Sequence, residues 1–489
     1  MPALAGVLNP VRSNANANGN EPPRPDPVLP PSPAGELHGV VAGPMHLPGD
    51  AGYDLARRGH NLTIDHRPAL VVEATGPADV MAAVRFAARH GLPVAVLNTG
   101  HGVSLAADGA VLITTRRMQG VRIDPYARVA RIEAGARWSR VVHEAAPFGL
   151  APLSGSAPDV GAVGYTLGGG LGLLGRAFGY AADHVRGIDV VTANGVLRTA
   201  TPQQYTDLFW ALRGGKGNFG VVTSLEIGLF PVSRLFGGGL YLPGSSARSA
   251  LHAYRRWVRN VPDEMTSSIA LTRFPWALEI PAALRGRFTV HVRIAFHGSA
   301  VVGERLVRPL RQVAIPLLDT LGDMPYTAAG SIHNDPAEPL AVLERAVLLR
   351  EFDEDAVDTL VDLTGPDSTC PLRLVELRHL GGALSREPEV PNAVGGRDAA
   401  FQLYLAGVSG DPGGSEAGSV AQEVLDRMAR WTSGAASLNF LGTADATPDG
   451  VRAAFTPEVF RRLVSVKRSY DPDNLLRFNH NIPPVMAAR

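Results

Sequence analysis

From Arg67 onward, short apolar runs alternate with amphipathic ones. "ALVVEA" (69–74) reads as a buried strand. "GPADVMAAVRFAARHG" (76–91) follows, with Pro77 at a helix start and Val80, Ala83, Val84 and Ala87 on one face. "PVAVLN" (93–98) is a second strand, so the three form a βαβ unit. "VLITT" (111–115) predicts a strand, "VRIDPYARVARIEAGA" (121–136) a hairpin turning at Asp124-Pro125, and "WSRVVHEAAPFG" (138–149) a helix. "IDVVTANGVLRTA" (188–200) predicts a hairpin in which Asn194-Gly195 supplies the positive φ angles of a two-residue turn. A helix (203–213) and a strand (220–230) close a first lobe. After Pro231, strand patterns recur at "SIALTRF", "FTVHVRIAFHG", "LRLVELRHL" and "AAFQLYLAGV". Helical patterns lie at 247–260, 300–312 and 416–431. That mixture predicts an α+β lobe around an antiparallel sheet. A last helix, 457–470, leads into "DPDNLLRFNHNIPP".

Residues 11–36, rich in Asn, Pro and Gly, hold too little apolar surface to offset their ordering entropy and predict a flexible arm. Lys+Arg and Asp+Glu both number 46 among the 489 residues, so no overall basic excess points to nucleic acid. No stretch reaches the ~18 apolar residues of a membrane span, and the N-terminus lacks a secretory pattern. A cytoplasmic location is the expectation. The lone cysteine, Cys370, excludes an intramolecular disulfide and a cysteine-built metal site. Lys216 and Lys467 are the only lysines in an otherwise arginine-based set of cations.

Two stretches carry candidate chemistry. "GAVGYTLGGGLGLLGRAFGY" (161–180) holds eight glycines in twenty residues, including G-x-G-x-x-G at Gly170, Gly172 and Gly175. The nicotinamide-binding fingerprint fails on context, because that motif must end a strand and open a helix, and Asp189 begins a strand where the ribose acid would end one. Without Cβ atoms, however, backbone amides can approach a polyanionic ligand closely. "NTGHG" (98–102) has the same character and places His101 between two glycines. Together they point to a dinucleotide held by main-chain donors, or to tight chain crossings alone.

The βαβ unit with "NTGHG", the block "SGSAPDVGAVGYTLGGGLGLLGRAFGYAADHV" (154–185), "DLFWALRGGKGNFGVVTSLEIGLFPV" (207–232) and "YDPDNLLRFNHNIPP" (470–484) together resemble the FAD-linked oxidases. This superfamily includes vanillyl-alcohol oxidase and p-cresol methylhydroxylase, and the likeness is greatest to its berberine-bridge-enzyme-like branch in bacterial secondary metabolism. The resemblance implies an α+β, two-lobed molecule: a PCMH-type FAD-binding lobe and a substrate lobe whose antiparallel sheet is covered by helices. It divides the chain into an arm (1–45), an FAD-binding domain (46–232), a substrate domain (233–455) and a C-terminal segment (456–489) returning to the FAD domain. His101 matches the histidine that in such proteins bonds covalently to the flavin C8 methyl carbon. The turn reads Asn-Thr-Gly-His-Gly, with Thr99 and Gly102 where the family often has Gly and Ser. Ala157 stands where many members have a second, cysteinyl attachment, so a tether through His101 alone is implied. Val160 matches a position beside the oxygen-reactive flavin face and resembles the oxidases. The resemblance further implies FAD contacts from Asn98, Thr99, Gly100, Gly102 and Ser104, then from Gly155, Gly161, Gly164, Tyr165, Gly168 and Gly169. It adds Asp183 and Val221 at the adenosine end, and Asn479 and Asn481 from the tail.

Removing a hydroxyl proton eases hydride transfer from an alcohol. Where branch members often carry tyrosines, this chain has Phe178, Phe455 and Phe460. Strand alternation in "FQLYL" places Gln402 and Tyr404 on one face and Phe401, Leu403 and Leu405 on the other. Tyr404 is the first candidate for the base, with His297 as orienting partner and Gln402 beside it. Glu376, Arg378, His379 and His333 are further polar candidates. The expected activity is a covalent flavin-dependent oxidase acting on a small-molecule natural product, with dioxygen as acceptor and hydrogen peroxide as product. Alternatives are a redox-neutral cyclisation or isomerisation on the same cofactor and a non-catalytic binding protein. Substrate and oligomeric state are not legible in the chain.

Overall fold

The structure, a computed structural model, describes residues 34–485. Most of the expected arm therefore lies outside the described residues. Its last part is not free: Leu37 and Val41 enter a hydrophobic core, and β1 (Met45–His46) pairs with β2 (Leu70–Glu73). With β3 (Val94–Leu97) and β4 (Val111–Thr114) they form a four-stranded sheet in the order β1-β2-β4-β3, parallel except at β1. The helix Pro77–Arg89 joins β2 to β3 and buries Val80, Ala83, Val84 and Ala87, the face expected from the spacing.

A five-stranded antiparallel sheet completes the first lobe. Its strands are β5 (Val121–Asp124), β6 (Val129–Glu133), β7 (Val185–Val191), β8 (Leu197–Ala200) and β9 (Val221–Gly228), in the order β5-β6-β9-β7-β8. The β7–β8 turn differs from expectation. Only Gly195 has positive φ, at 69°; its N–H reaches the Thr192 carbonyl at 2.8 Å and the Thr192 N–H reaches Val196 at 3.1 Å. Asn194 instead uses its side chain, accepting from the Thr192 hydroxyl at 2.8 Å, so the turn is one residue longer than the two-residue form.

The second lobe is one eight-stranded antiparallel sheet, β10 (Arg234–Pro243) to β17 (Phe401–Val408). Between them run β11 (Met265–Arg273), β12 (Phe288–Phe296), β13 (Leu318–Asp319), β14 (Gly322–Pro325), β15 (Val342–Leu349) and β16 (Leu374–His379). The order is β13-β10-β12-β11-β16-β17-β15, with β14 also on β10. Ile269, Leu271, Val290, Val292, Val375, Leu377, Leu403 and Leu405 share a core with Leu251, Val307, Leu360 and Val424 from four covering helices. Period-two alternation leaves His291, Arg293, Ser268, Glu376, Arg378, Gln402 and Tyr404 on the other face. β10 was hidden in the sequence by Gly237–Gly239; a Cβ at Gly239 would lie 2.4 Å from His291 Nε2, so close approach, not a loop, requires it.

The chain then returns. Leu438, Leu441, Val451 and Phe455 already pack in the first lobe's core, so the second lobe ends before Leu438 and not at 455. The helix Pro457–Tyr470 adds Phe460, Leu463 and Val464, and Val94 N–H donates to the Leu475 carbonyl at 2.9 Å. Among the described residues, no helix is long and apolar enough to cross a membrane.

Candidate functional site

The first loop leaves β3 and folds back on itself. Gly100, at φ 78°, needs to be glycine: a Cβ there would stand 2.6 Å from Gly59 Cα. The His60 N–H donates to the Thr99 carbonyl at 2.9 Å, and the His60 ring stacks on His101 with centroids 3.8 Å apart. His101 Nδ1 lies 2.8 Å from the Thr99 hydroxyl. Burial, with His60 and Arg137 nearby, lowers the His101 pKa to about 3. The imidazole is therefore neutral at pH 7 and keeps a nucleophilic lone pair.

The second loop meets the first. Asn98 Nδ2 donates to the Ala134 carbonyl at 3.0 Å and fills the space a Gly161 Cβ would need. Gly161 caps the helix Ala162–Leu167, and Val160 packs beneath it against the first lobe's core. The Tyr165 ring crowds the positions that Cβ atoms on Gly155 and Gly170 would take, the Ser154 carbonyl crowds that of Gly172, and the Tyr165 hydroxyl is buried without a partner. A Gly168 Cβ would fall 1.7 Å from Asn439 Oδ1; Gly169 takes φ 112°; Gly164 has nothing within 4 Å of its Cβ position.

The tail supplies the third wall. Asn479 Nδ2 donates to the Leu476 carbonyl at 3.0 Å, while the Oδ1 atoms of Asn479 and Asn481 are buried and unpartnered. So is the hydroxyl of Ser104. Buried polar atoms without partners are costly, and several along one cradle suit a polar ligand. Bare glycine backbone, orphaned oxygens and a neutral histidine at the rim fit FAD.

Two residues expected at the adenosine end have other work. Asp183 accepts from the Tyr180 N–H at 2.9 Å, from Asn392 at 2.7 Å and from Arg397 at 2.6 Å, fastening the second lobe to the first. Val221 is buried beside Leu475 and Leu476 in the core behind the tail.

The polar sheet face holds the rest. Tyr404 occupies the row His291, Ala270, Glu376, Tyr404, and Gln402 the row Arg293, Ser268, Arg378, Gln402. Both amide atoms of Gln402 are buried without partners. The Tyr404 hydroxyl donates to Glu344 on β15. Burial, then Glu344, holds the Tyr404 pKa well above its ordinary value, and burial also raises that of Glu344. His297 is not the orienting partner. It lies past the end of β12, far along the strand from His291, with its ring 5.4 Å from Phe178. Phe455 and Phe460 face each other at 6.3 Å in the first-lobe core.

Beside Tyr404, Glu376 is fully buried and meets Arg293 at 2.7 Å, Arg378 at 2.9 Å, Ser268 at 2.6 Å and His333 at 3.8 Å. Burial raises its pKa, but the two guanidiniums outweigh that and hold it low. A small pocket opens among Arg293, Arg378, His333, Ser268 and Leu171–Leu173. Phe440, next to Asn439, packs 5.8 Å from the Tyr404 ring, while Asn439 donates to the Tyr165 carbonyl at 2.8 Å. That dipeptide joins cradle to sheet. Sequence reading missed Glu344, His60 and Arg293; a glutamate inside the apolar run "AVLERAVLL" was a usable signal, and "RRGHN" offered none.

Comparison with known proteins agrees with this geometry. The FAD binding domain family matches residues 68–201, and the family described as berberine and berberine like matches residues 441–483. The chain is 30% identical over 461 residues to (R)-6-hydroxynicotine oxidase of Paenarthrobacter nicotinovorans, covering 91% of this chain and 97% of that protein. It is 28% identical over 261 residues to a xylooligosaccharide oxidase of Thermothelomyces thermophilus, covering 51% of this chain and 50% of that protein. The crystal structure of 6-hydroxy-D-nicotine oxidase from Arthrobacter nicotinovorans superposes with a TM-score of 0.78 at 26% identity, covering 91% of this chain and 98% of that one.

Proposed function

This chain belongs to the FAD-linked oxidoreductases of the berberine-like branch, and on that premise we propose that it is a covalent flavoprotein oxidase for a small natural product. It is an FAD-dependent oxidoreductase; the finer reading concerns tether, substrate and acceptor. The substrate gives up hydride from a C–H beside oxygen or nitrogen, dioxygen takes the electrons, and hydrogen peroxide leaves. Relatives named as nicotine and xylooligosaccharide oxidases support a small-molecule substrate, and Val160 beside the cradle supports dioxygen as acceptor.

The observation that carries the reading is the Tyr404–Glu344 pair on the sheet face toward the cradle. Bound FAD supplies the hydride acceptor. Asn98 to Ser104, the Gly155–Gly169 stretch, Asn479 and Asn481 hold it, and the neutral His101 imidazole tethers it. Tyr404 cannot ionise alone at neutral pH, since burial raises its pKa. It relays instead: its oxygen accepts the proton of the substrate hydroxyl or amine as its own proton passes to Glu344. Arg378, fixed by Glu376, lies 6.0 Å from the Tyr404 ring centre, and Gln402 offers a free amide to orient the substrate.

The test is anaerobic addition of a panel of hydroxylated and amine-bearing metabolites to the purified protein. The expected result is bleaching of the long-wavelength flavin band, with colour and peroxide returning on admission of air. Turnover without bleaching would assign a redox-neutral reaction, and binding without either would leave a binding protein.

A further inference from the structure

Of the two lysines, one is fully accounted for. Lys467 is buried and donates to Asp471 at 2.7 Å, Asn218 O at 2.9 Å and Leu476 O at 3.2 Å, pinning the tail. Lys216 has no such role. It sits in "GGKGN" with φ at 55°, a left-handed conformation that disfavours any residue with a Cβ. Glycine would satisfy that backbone better, yet a long cationic side chain stands there.

That side chain runs into the cradle. Its Cε lies 3.0 Å from the Cβ position of Gly168 in the second loop, and its Nζ 4.0 Å from that of Gly102 in the first. In the tail, Nζ lies 3.2 Å from His480 Nδ1. The tautomer is fixed by the other nitrogen: Nε2 faces the Leu441 carbonyl at 3.2 Å and must carry the hydrogen. Nδ1 therefore presents a lone pair, and the ammonium donates to it. His480 is itself held by Asn218, whose side chain donates to the His480 carbonyl at 3.0 Å and accepts from the Ile482 N–H at 2.9 Å. Three cradle walls thus converge on one oriented amine that makes no ion pair among the described residues. Burial lowers its pKa to about 8, opposed by the charge of Glu344, so it is mostly cationic at pH 7.

We propose that Lys216 is the counter-charge of the cradle: its ammonium stabilises the negative charge the flavin ring system gains on taking a hydride. A hydride brings two electrons and one proton, so the ring gains one negative charge, which Lys216 meets without a further proton transfer. The inference rests on the flavin reading above and corrects one part of it, since the cradle is not built from main-chain donors alone.

Sodium sulfite is a probe that needs no known substrate. Its sulfur adds to the oxidised ring, leaves added negative charge there and bleaches the long-wavelength band. Purified, flavin-loaded wild type is titrated with sulfite at pH 7 beside Lys216→Arg, Lys216→Met and Lys216→Gly, with melting curves for each. The expected result is sulfite binding retained in wild type and Lys216→Arg and weakened at least about tenfold in the other two. Lys216→Gly should melt no lower than wild type, because its backbone relaxes. Unchanged sulfite affinity in flavin-loaded Lys216→Met overturns the proposal, as does loss of flavin from a folded Lys216→Gly, which would assign the lysine to cofactor retention. A wild type that carries no flavin sinks the cofactor reading itself, a distinct outcome.

Discussion

Tyr404→Phe separates a relay from a side chain that merely fills space. The substitution keeps the ring beside Phe440 and removes one hydroxyl, the donor to Glu344. General base assistance contributes roughly 10²- to 10⁴-fold to such a step, so hydride transfer should slow by that range. The buried Glu344 carboxyl loses its partner, which costs about 1–3 kcal/mol of stability, so the melting temperature should fall modestly while flavin content holds. If the hydroxyl acts through Glu344, then Glu344→Gln should slow the step similarly, and the double variant should be little worse than either single one. Burial raises the Glu344 pKa, and its ionised form is the acceptor. The rate should therefore rise with pH along a limb lying above the ordinary carboxylate range, and that limb should vanish in Glu344→Gln. The assay is the single-turnover rate of flavin bleaching under anaerobic stopped flow. A Tyr404→Phe rate within twofold of wild type, or fully additive effects of the two substitutions, would refute the relay.

Other outcomes follow from the same geometry. Lys467→Met should leave the buried Asp471 carboxylate with backbone donors but no counter-charge, costing about 3 kcal/mol in urea unfolding, where an exposed lysine would cost almost nothing. Glu376 has a folded-state pKa below its ordinary 4.5. Its contribution to stability is full above that value and is lost as pH falls below it. The melting-temperature gap between wild type and Glu376→Gln should accordingly be widest near pH 7 and close in acid. Arg397→Met should remove the ion pair from Asp183 and leave only the Asn392 bond between the lobes there, and limited proteolysis should then cut more readily between residues 386 and 398, with flavin content unchanged.

The parallel strands β2, β3 and β4 and the helix Pro77–Arg89 were legible because apolar period and Pro77 agreed. The sheet face carrying Gln402 and Tyr404 was legible for the same reason: alternation fixes sides whatever the partner strands are. What alternation cannot fix is which strand lies alongside. Glu344 reaches Tyr404 because β15 pairs β17 at Ala346 and Tyr404, a long-range register with no local signature. His297 was a plausible partner only while the strand order was unknown. Asp183 was expected at the adenosine end only through the family resemblance, but its bonds go to Asn392 and Arg397, far along the chain. Lys216 was visible as an oddity in composition; only the fold shows that it enters the cradle.

The central claim is that the glycine cradle carries FAD tethered through His101. Its most direct test is acid precipitation of the purified protein followed by absorbance of pellet and supernatant, for wild type and His101→Ala. The wild-type pellet should be yellow and keep its flavin, and His101→Ala should release its flavin into the supernatant. A colourless wild-type protein, or flavin fully released from it by acid, would contradict the claim.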